Sequence, residues 1–72
     1  MTTIEYAVKE SGRVALKVYD IRGREVATLV DTHQRPGFYK VNFDGHNLTT
    51  GVYFYRIQML GFVATYKMVL LE

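Results

Sequence analysis

No cysteine occurs in the 72 residues, so neither a disulfide nor a thiolate metal site can be built from this chain. That absence leaves the compartment open, because exported domains can also lack cysteine. Serine occurs once, at Ser11, and no motif joins it to a histidine and an aspartate as a hydrolytic triad needs. Charge of one sign is scarce as well. Nine Lys and Arg against seven Asp and Glu leave a net charge of +2, too small and too balanced to argue by itself for nucleic acid or an anionic membrane. No run approaches the roughly 20 apolar residues of a membrane-spanning helix. The first ten residues, Met1 to Glu10, have neither the basic start nor the apolar centre of a signal peptide. If the chain is exported, its address lies elsewhere or the chain is a fragment.

What is present is a globular composition: 49% hydrophobic, 22% charged, with one proline and six glycines to punctuate it. A length of 72 residues allows one small domain, residues 1–72. A folded chain of this mass should expose on the order of 4,600 Å². So small a core makes the domain marginal alone, and a neighbouring domain or a second copy would help it.

Alternation of apolar and polar residues is the dominant local signal. Ile4, Tyr6 and Val8 alternate with Thr3, Glu5 and Ala7; Val14, Leu16 and Val18 with Arg13, Ala15 and Lys17; Tyr39, Val41 and Phe43 with Lys40, Asn42 and Asp44. Each set turns one apolar edge to one face of a sheet. Arg24 to Val30 is less regular. Val26, Leu29 and Val30 would also suit one side of a helix, but its β-branched residues and short length favour a strand. Val52 to Leu60 places Tyr53, Tyr55, Ile57 and Met59 on one face. Phe62 to Leu71 places Phe62, Ala64, Tyr66, Met68 and Leu70 on one side. Both are apolar on much of both faces, the pattern of strands covered on two sides.

Turn signals separate these runs: Ser11-Gly12, Asp20-Ile21-Arg22-Gly23, Arg35-Pro36-Gly37 and Gly61. In the second, aspartate can cap its own turn and glycine can take a positive φ. Six strands with turns every 8–12 residues predict an all-β fold, an antiparallel immunoglobulin-like β-sandwich of six to seven strands. Leu48-Thr49-Thr50-Gly51-Val52-Tyr53 has the form of a tyrosine corner, in which a tyrosine near a strand start bonds back to the preceding corner; otherwise Tyr53 is a plain core aromatic.

These residues, in order, also carry a resemblance. Thr2-Thr3-Ile4-Glu5-Tyr6, Gly12-Arg13-Val14, Leu16 to Asp20, Gly23 to Val26, Leu29-Val30, Phe43-Asp44-Gly45, Leu48, Gly51 to Ile57 and the ending Lys67-Met68-Val69-Leu70-Leu71 cover nearly the whole chain. Together they resemble the type-A C-terminal sorting domain of the bacterial type IX (Por) secretion system, and the related immunoglobulin-like domain of flagellar hook-capping proteins. The resemblance implies a C-terminal piece of a larger secreted enzyme or adhesin. It implies recognition by outer-membrane secretion machinery, with the cargo delivered outside the cell or to its surface. The expected recognition region is Lys67, Met68, Val69, Leu70 and Leu71, supported by Gly51 to Ile57. Asp20, Gly23, Leu48, Gly51 and Tyr53 are the expected structural motif. Two departures stand out: Met1 replaces the Asn-Pro-Phe-like stretch and serine common in the family, and Glu72 replaces the usual final lysine or arginine.

Other chemistry is thinly supplied. His33 and His46, in predicted loops, would need Asp31 or Asp44 to hold a metal; two solvated histidines are the plainer reading. Asp44-Gly45-His46-Asn47 lacks the acidic spacing of a calcium loop and reads as a turn. Arg22-Gly23-Arg24 could meet phosphate or an acidic sugar, but reads as a solvated tip. Lys17, Glu25 and Lys40 suit charge pairing between exposed strands. No cofactor is expected. Tyr and Phe make up ten of the 72 residues. With Tyr53, Tyr55 and Tyr66 inward, Phe54 and Tyr19 on an outer face would form either a binding surface or a second covered face.

The function expected is therefore a non-enzymatic sorting and anchoring module. Its expected partners are the secretion machinery and an upstream cargo domain, without nucleic acid or a membrane span. The alternative is a structural immunoglobulin-like module that packs on a catalytic neighbour, self-assembles through edge strands or binds glycan. A terminal strand on a sheet edge would suit recognition by strand addition.

Overall fold

The computed structural model of the chain describes residues 2–45 and 48–71. It contains six strands: β1 (Thr2–Val8), β2 (Gly12–Tyr19), β3 (Glu25–Gln34), β4 (Gly37–Phe43), β5 (Gly51–Met59) and β6 (Phe62–Leu70). No helix occurs among the described residues, and Val26 lies in a strand. The strands form two antiparallel sheets, β1-β4 and β3-β2-β5-β6, consistent with an immunoglobulin-like sandwich.

Local sequence explains each element. In β2, Val14, Leu16 and Val18 alternate with Ala15 and Lys17, and these three are the most deeply buried side chains in the molecule. In β1, Ile4 and Val8 are buried while Thr3, Glu5 and Ala7 face out. These residues meet Ile57 of β5 between the sheets. A second cluster, Val18, Phe43, Tyr53 and Leu70, closes the other end of the sandwich, with Leu48 packed on it. Burying an aliphatic side chain of this size stabilises by roughly 1.5–3 kcal/mol, so β2, in the middle of the larger sheet, is the main hydrophobic anchor.

The connections are of two kinds, hairpins within the larger sheet and crossings between the sheets. Residues Asp20 to Arg24 join β2 to β3, and Leu60-Gly61 joins β5 to β6. Ser11-Gly12 and Arg35-Pro36-Gly37 are turns of a different kind, because they carry the chain from one sheet to the other. The third strand is longer than its valine-rich part: it continues through Asp31, Thr32 and His33 to Gln34, so His33 sits on a strand and not in a loop. Polar residues continue a strand here because β2 supplies the ladder partners, Arg13 opposite His33 and Gly12 opposite Gln34.

A second expectation also fails. Strands β5 and β6 are not covered on two sides. On their outer face Val69 is 54% exposed, and Val52 and Phe54 are only half-buried. The inner face of β6 is open too: Phe62 is 49% and Tyr66 48% exposed. The cause is a mismatch of widths, since a two-stranded sheet lies against a four-stranded one. The accessible surface, 5103 Å², accordingly exceeds what a compact chain of this mass should expose by about 500 Å².

Candidate functional site

The C-terminal segment Lys67-Met68-Val69-Leu70 forms the second half of β6, and Leu71 follows directly. Strand β6 is an edge: β5 lies on one side, and no strand pairs with the other among the described residues. Phe54, Tyr53, Val52 and Gly51 stand opposite Lys67, Met68, Val69 and Leu70 in an unbroken register. The two segments singled out in the sequence are thus one ladder. Residue parity divides the terminal segment. Leu70 is buried and Met68 packs beside it against the second core cluster. Lys67 and Val69 point outward, and Leu71 is 82% exposed. A partner approaching this edge meets a free row of backbone donors and acceptors with apolar side chains beside it.

Two devices hold the ladder in place. The Tyr53 hydroxyl donates to the Thr49 carbonyl oxygen at 2.8 Å and lies 3.3 Å from Thr49 Oγ1, while the Leu48 amide donates to the Gly45 carbonyl at 2.8 Å. This is the tyrosine-corner geometry, and it fixes the entry into β5 opposite Leu70. Gly45 contributes by being small. A Cβ placed there would lie 2.7 Å from Leu70 Cδ1, so any larger residue would push the buried Leu70 side chain out of its present position. Gly45 was missed as a supporting residue because its partner is 25 positions away in the sequence.

At the same end of the sheet, on its β2–β3 side, the turn is tied by Asp20. Its carboxylate accepts the Arg22 and Arg24 amides, each at 2.9 Å, and Arg24 Nε at 2.9 Å. Gly23 adopts φ +85°, which L side chains rarely take. These donors, the Arg24 amide first, hold the Asp20 carboxyl below its ordinary range. Arg24 is thereby engaged within its own turn and Arg22 is exposed, as for a solvated tip.

The remaining candidates do not converge. His33 faces solvent beside Arg13, and Asp31 is bonded to Arg13 at 2.6 Å. His46 and Asn47 of the proposed metal and calcium readings lie outside the described residues, as do Met1 and Glu72. No group of three potential metal ligands occurs among the described residues. Lys17 does pair with Glu25, at 3.4 Å across β2 and β3. Tyr19 and Phe54 stand opposite one another on the outer face, half-buried. Tyr66 lies on the inward side of β6 and stacks on Tyr55, with ring centroids 5.2 Å apart, yet stays half exposed for want of a strand above it. Phe38, 92% exposed, was also overlooked; it sits among the outward residues of β4 with Lys40 and Asn42, which its parity announces.

Comparison with known proteins gives one family. The secretion system C-terminal sorting domain matches residues 1–71, essentially the whole chain. No curated protein and no solved structure matches it significantly.

Proposed function

We propose, from the premise that this chain belongs to the family of C-terminal sorting domains of the type IX secretion system, that it is a non-enzymatic module which directs a secreted cargo protein to the cell surface. In this reading the cargo precedes residue 1 in a longer polypeptide. The outer-membrane secretion machinery reads the Lys67 to Leu71 end of β6.

The observation that supports this reading best is the difference between β6 and its counterpart at the far edge of the same sheet. Strand β6 pairs with β5 through nine consecutive residue pairs without a bulge, leaving a straight, regular outer edge. Such an edge accepts an added strand, and alternate side chains give the addition its specificity. Strand β3 is interrupted twice in its ladder and carries ion pairs, which are features that discourage addition.

The test joins residues 1–72 to the C-terminus of a reporter in a cell with a working type IX system. Export of the reporter is expected. The same fusion lacking Lys67 to Leu71 should remain inside while its reporter stays folded. Equal export by both fusions would contradict the assignment of the signal to β6.

A further inference from the structure

Polarity is unevenly distributed along the hairpin of β5 and β6. No Asp or Glu occurs in residues 51–70, and the only charges there are Arg56 and Lys67. Both are exposed on the outer face, and neither joins an ion pair among the described residues. Between them the chain passes through the turn without a charge. Leu60, in that turn, is 66% exposed, and Phe62 and Val63 beyond it are half-exposed. Consecutive residues of a strand point to opposite faces, so Phe62 and Val63 make the tip apolar on both sides. A protein partner or a second copy laid on one face would leave the other uncovered. A bilayer interface surrounds the tip and takes both faces out of water at once.

We infer that the β5–β6 tip docks on a lipid bilayer bearing anionic headgroups, entering its surface without crossing it. A strand rise of about 3.3 Å per residue sets Arg56 about 13 Å behind Leu60. An amphipathic element at a bilayer surface buries its apolar part by about 5–10 Å. At that depth Leu60, Phe62 and Val63 lie in the apolar boundary and the long Arg56 side chain meets the phosphates. Lys67, two residues farther along, stays within a Debye length of them. Tyr66 stands at the level between the two cations, where tyrosine rings settle at an interface. The carboxylates near the tip are offset: Glu10 follows Lys9 in the β1–β2 turn, and Asp31 is bonded to Arg13 at 2.6 Å. Thr2 and Leu70 both lie at the far end of the sandwich, around Phe43 and Tyr53. The docked tip therefore leaves clear the end at which a cargo would join and the C-terminal part of β6. The inference goes beyond the sorting role and does not depend on it.

Co-sedimentation of the protein with vesicles tests it, using phosphatidylcholine alone and phosphatidylcholine mixed with phosphatidylglycerol. The mixed vesicles should bind the protein at least about tenfold more tightly than phosphatidylcholine alone. Arg56→Gln with Lys67→Gln should remove that difference and leave the weaker binding. Leu60→Asp with Val63→Asp, both at exposed positions, should abolish binding to either vesicle while the β2 amides stay protected from exchange. Absence of the unchanged protein from the mixed vesicles overturns the inference, whatever the variants do. So does undiminished binding by a folded Leu60→Asp, Val63→Asp protein. Equal affinity for soluble polyglutamate would assign the cations to an acidic polymer, and a lipid-free dimer lost with Leu60→Asp would assign the tip to a second copy; either result overturns the bilayer. Export is not measured in this assay, so its failure leaves the sorting role standing.

Discussion

The two edges of the four-stranded sheet are built to opposite specifications. Strand β3 is bulged twice against β2, between Leu16 and Lys17 and between Val18 and Tyr19. Its outer residues are tied by Arg13–Asp31 and Lys17–Glu25, and Thr28 donates to the Glu25 carboxylate at 2.8 Å. Strand β6 has an uninterrupted register and presents Val63, Val69 and the adjoining Leu71 to solvent. Bulges and charges are the ordinary means by which a sheet edge is kept from pairing with foreign strands. Their presence on β3 shows that this small domain manages one edge. Leaving the other clean, at the C-terminal end, fits an edge meant to be met.

The largest test of that contrast removes what the two edges share. Leu16→Ala, at a fully buried position in β2, should cost roughly 2–5 kcal/mol in urea unfolding and loosen both edges together. Loss at one edge alone would mean that the edges are independently supported. Tyr53→Phe acts on the β6 side. It deletes the hydroxyl bonded to Thr49, should cost about 0.5–1.5 kcal/mol, and should speed amide exchange in β5 and β6 before β3.

Acid sharpens the comparison from the β3 side. Asp20 and Glu25 are both held below the ordinary carboxylate range, Asp20 by the Arg24 and Arg22 donors and Glu25 by the Thr28 hydroxyl and then Lys17. A carboxyl depressed in the folded state adds stability above its unfolded pKa, and that contribution is lost as pH falls through the folded value. Lowering the pH below about 4 should therefore open the β2–β3 turn first, seen as faster exchange of the Arg22 and Arg24 amides while β5 and β6 hold. The smallest effect belongs to Asp31→Ala. Its exposed ion pair should be worth no more than about 0.5 kcal/mol, although the variant should raise the tendency of β3 to self-associate.

Much of this was visible in the amino-acid order. The alternation in Ile4 to Val8, Val14 to Val18 and Tyr39 to Phe43 marked inward faces, and Asp20 and Tyr53 stood where their hydroxyl and carboxylate chemistry requires. What alternation does not contain is the identity of a strand's neighbour. Period-two patterning says which way a side chain points, while pairing across sheets is decided by contacts far apart in the sequence. Hence Ser11-Gly12 and Pro36 gave no sign that they cross between layers. The two apolar faces of β5 and β6 read as doubly covered, although the narrow β1-β4 sheet leaves Tyr66 and Phe62 half open. His33 looked like a loop residue because the strand it belongs to is sustained by β2 and not by its own hydrophobicity.

The central claim, that the clean β6 edge is what the secretion machinery reads, is tested most directly by placing one lysine on each edge of the exported reporter fusion. Val69→Lys on β6 and Thr32→Lys on β3 both alter exposed positions, so each should leave stability within about 0.5 kcal/mol of the parent. Export should fall sharply for Val69→Lys and stay at the parent level for Thr32→Lys. Equal export of the two variants would contradict the account.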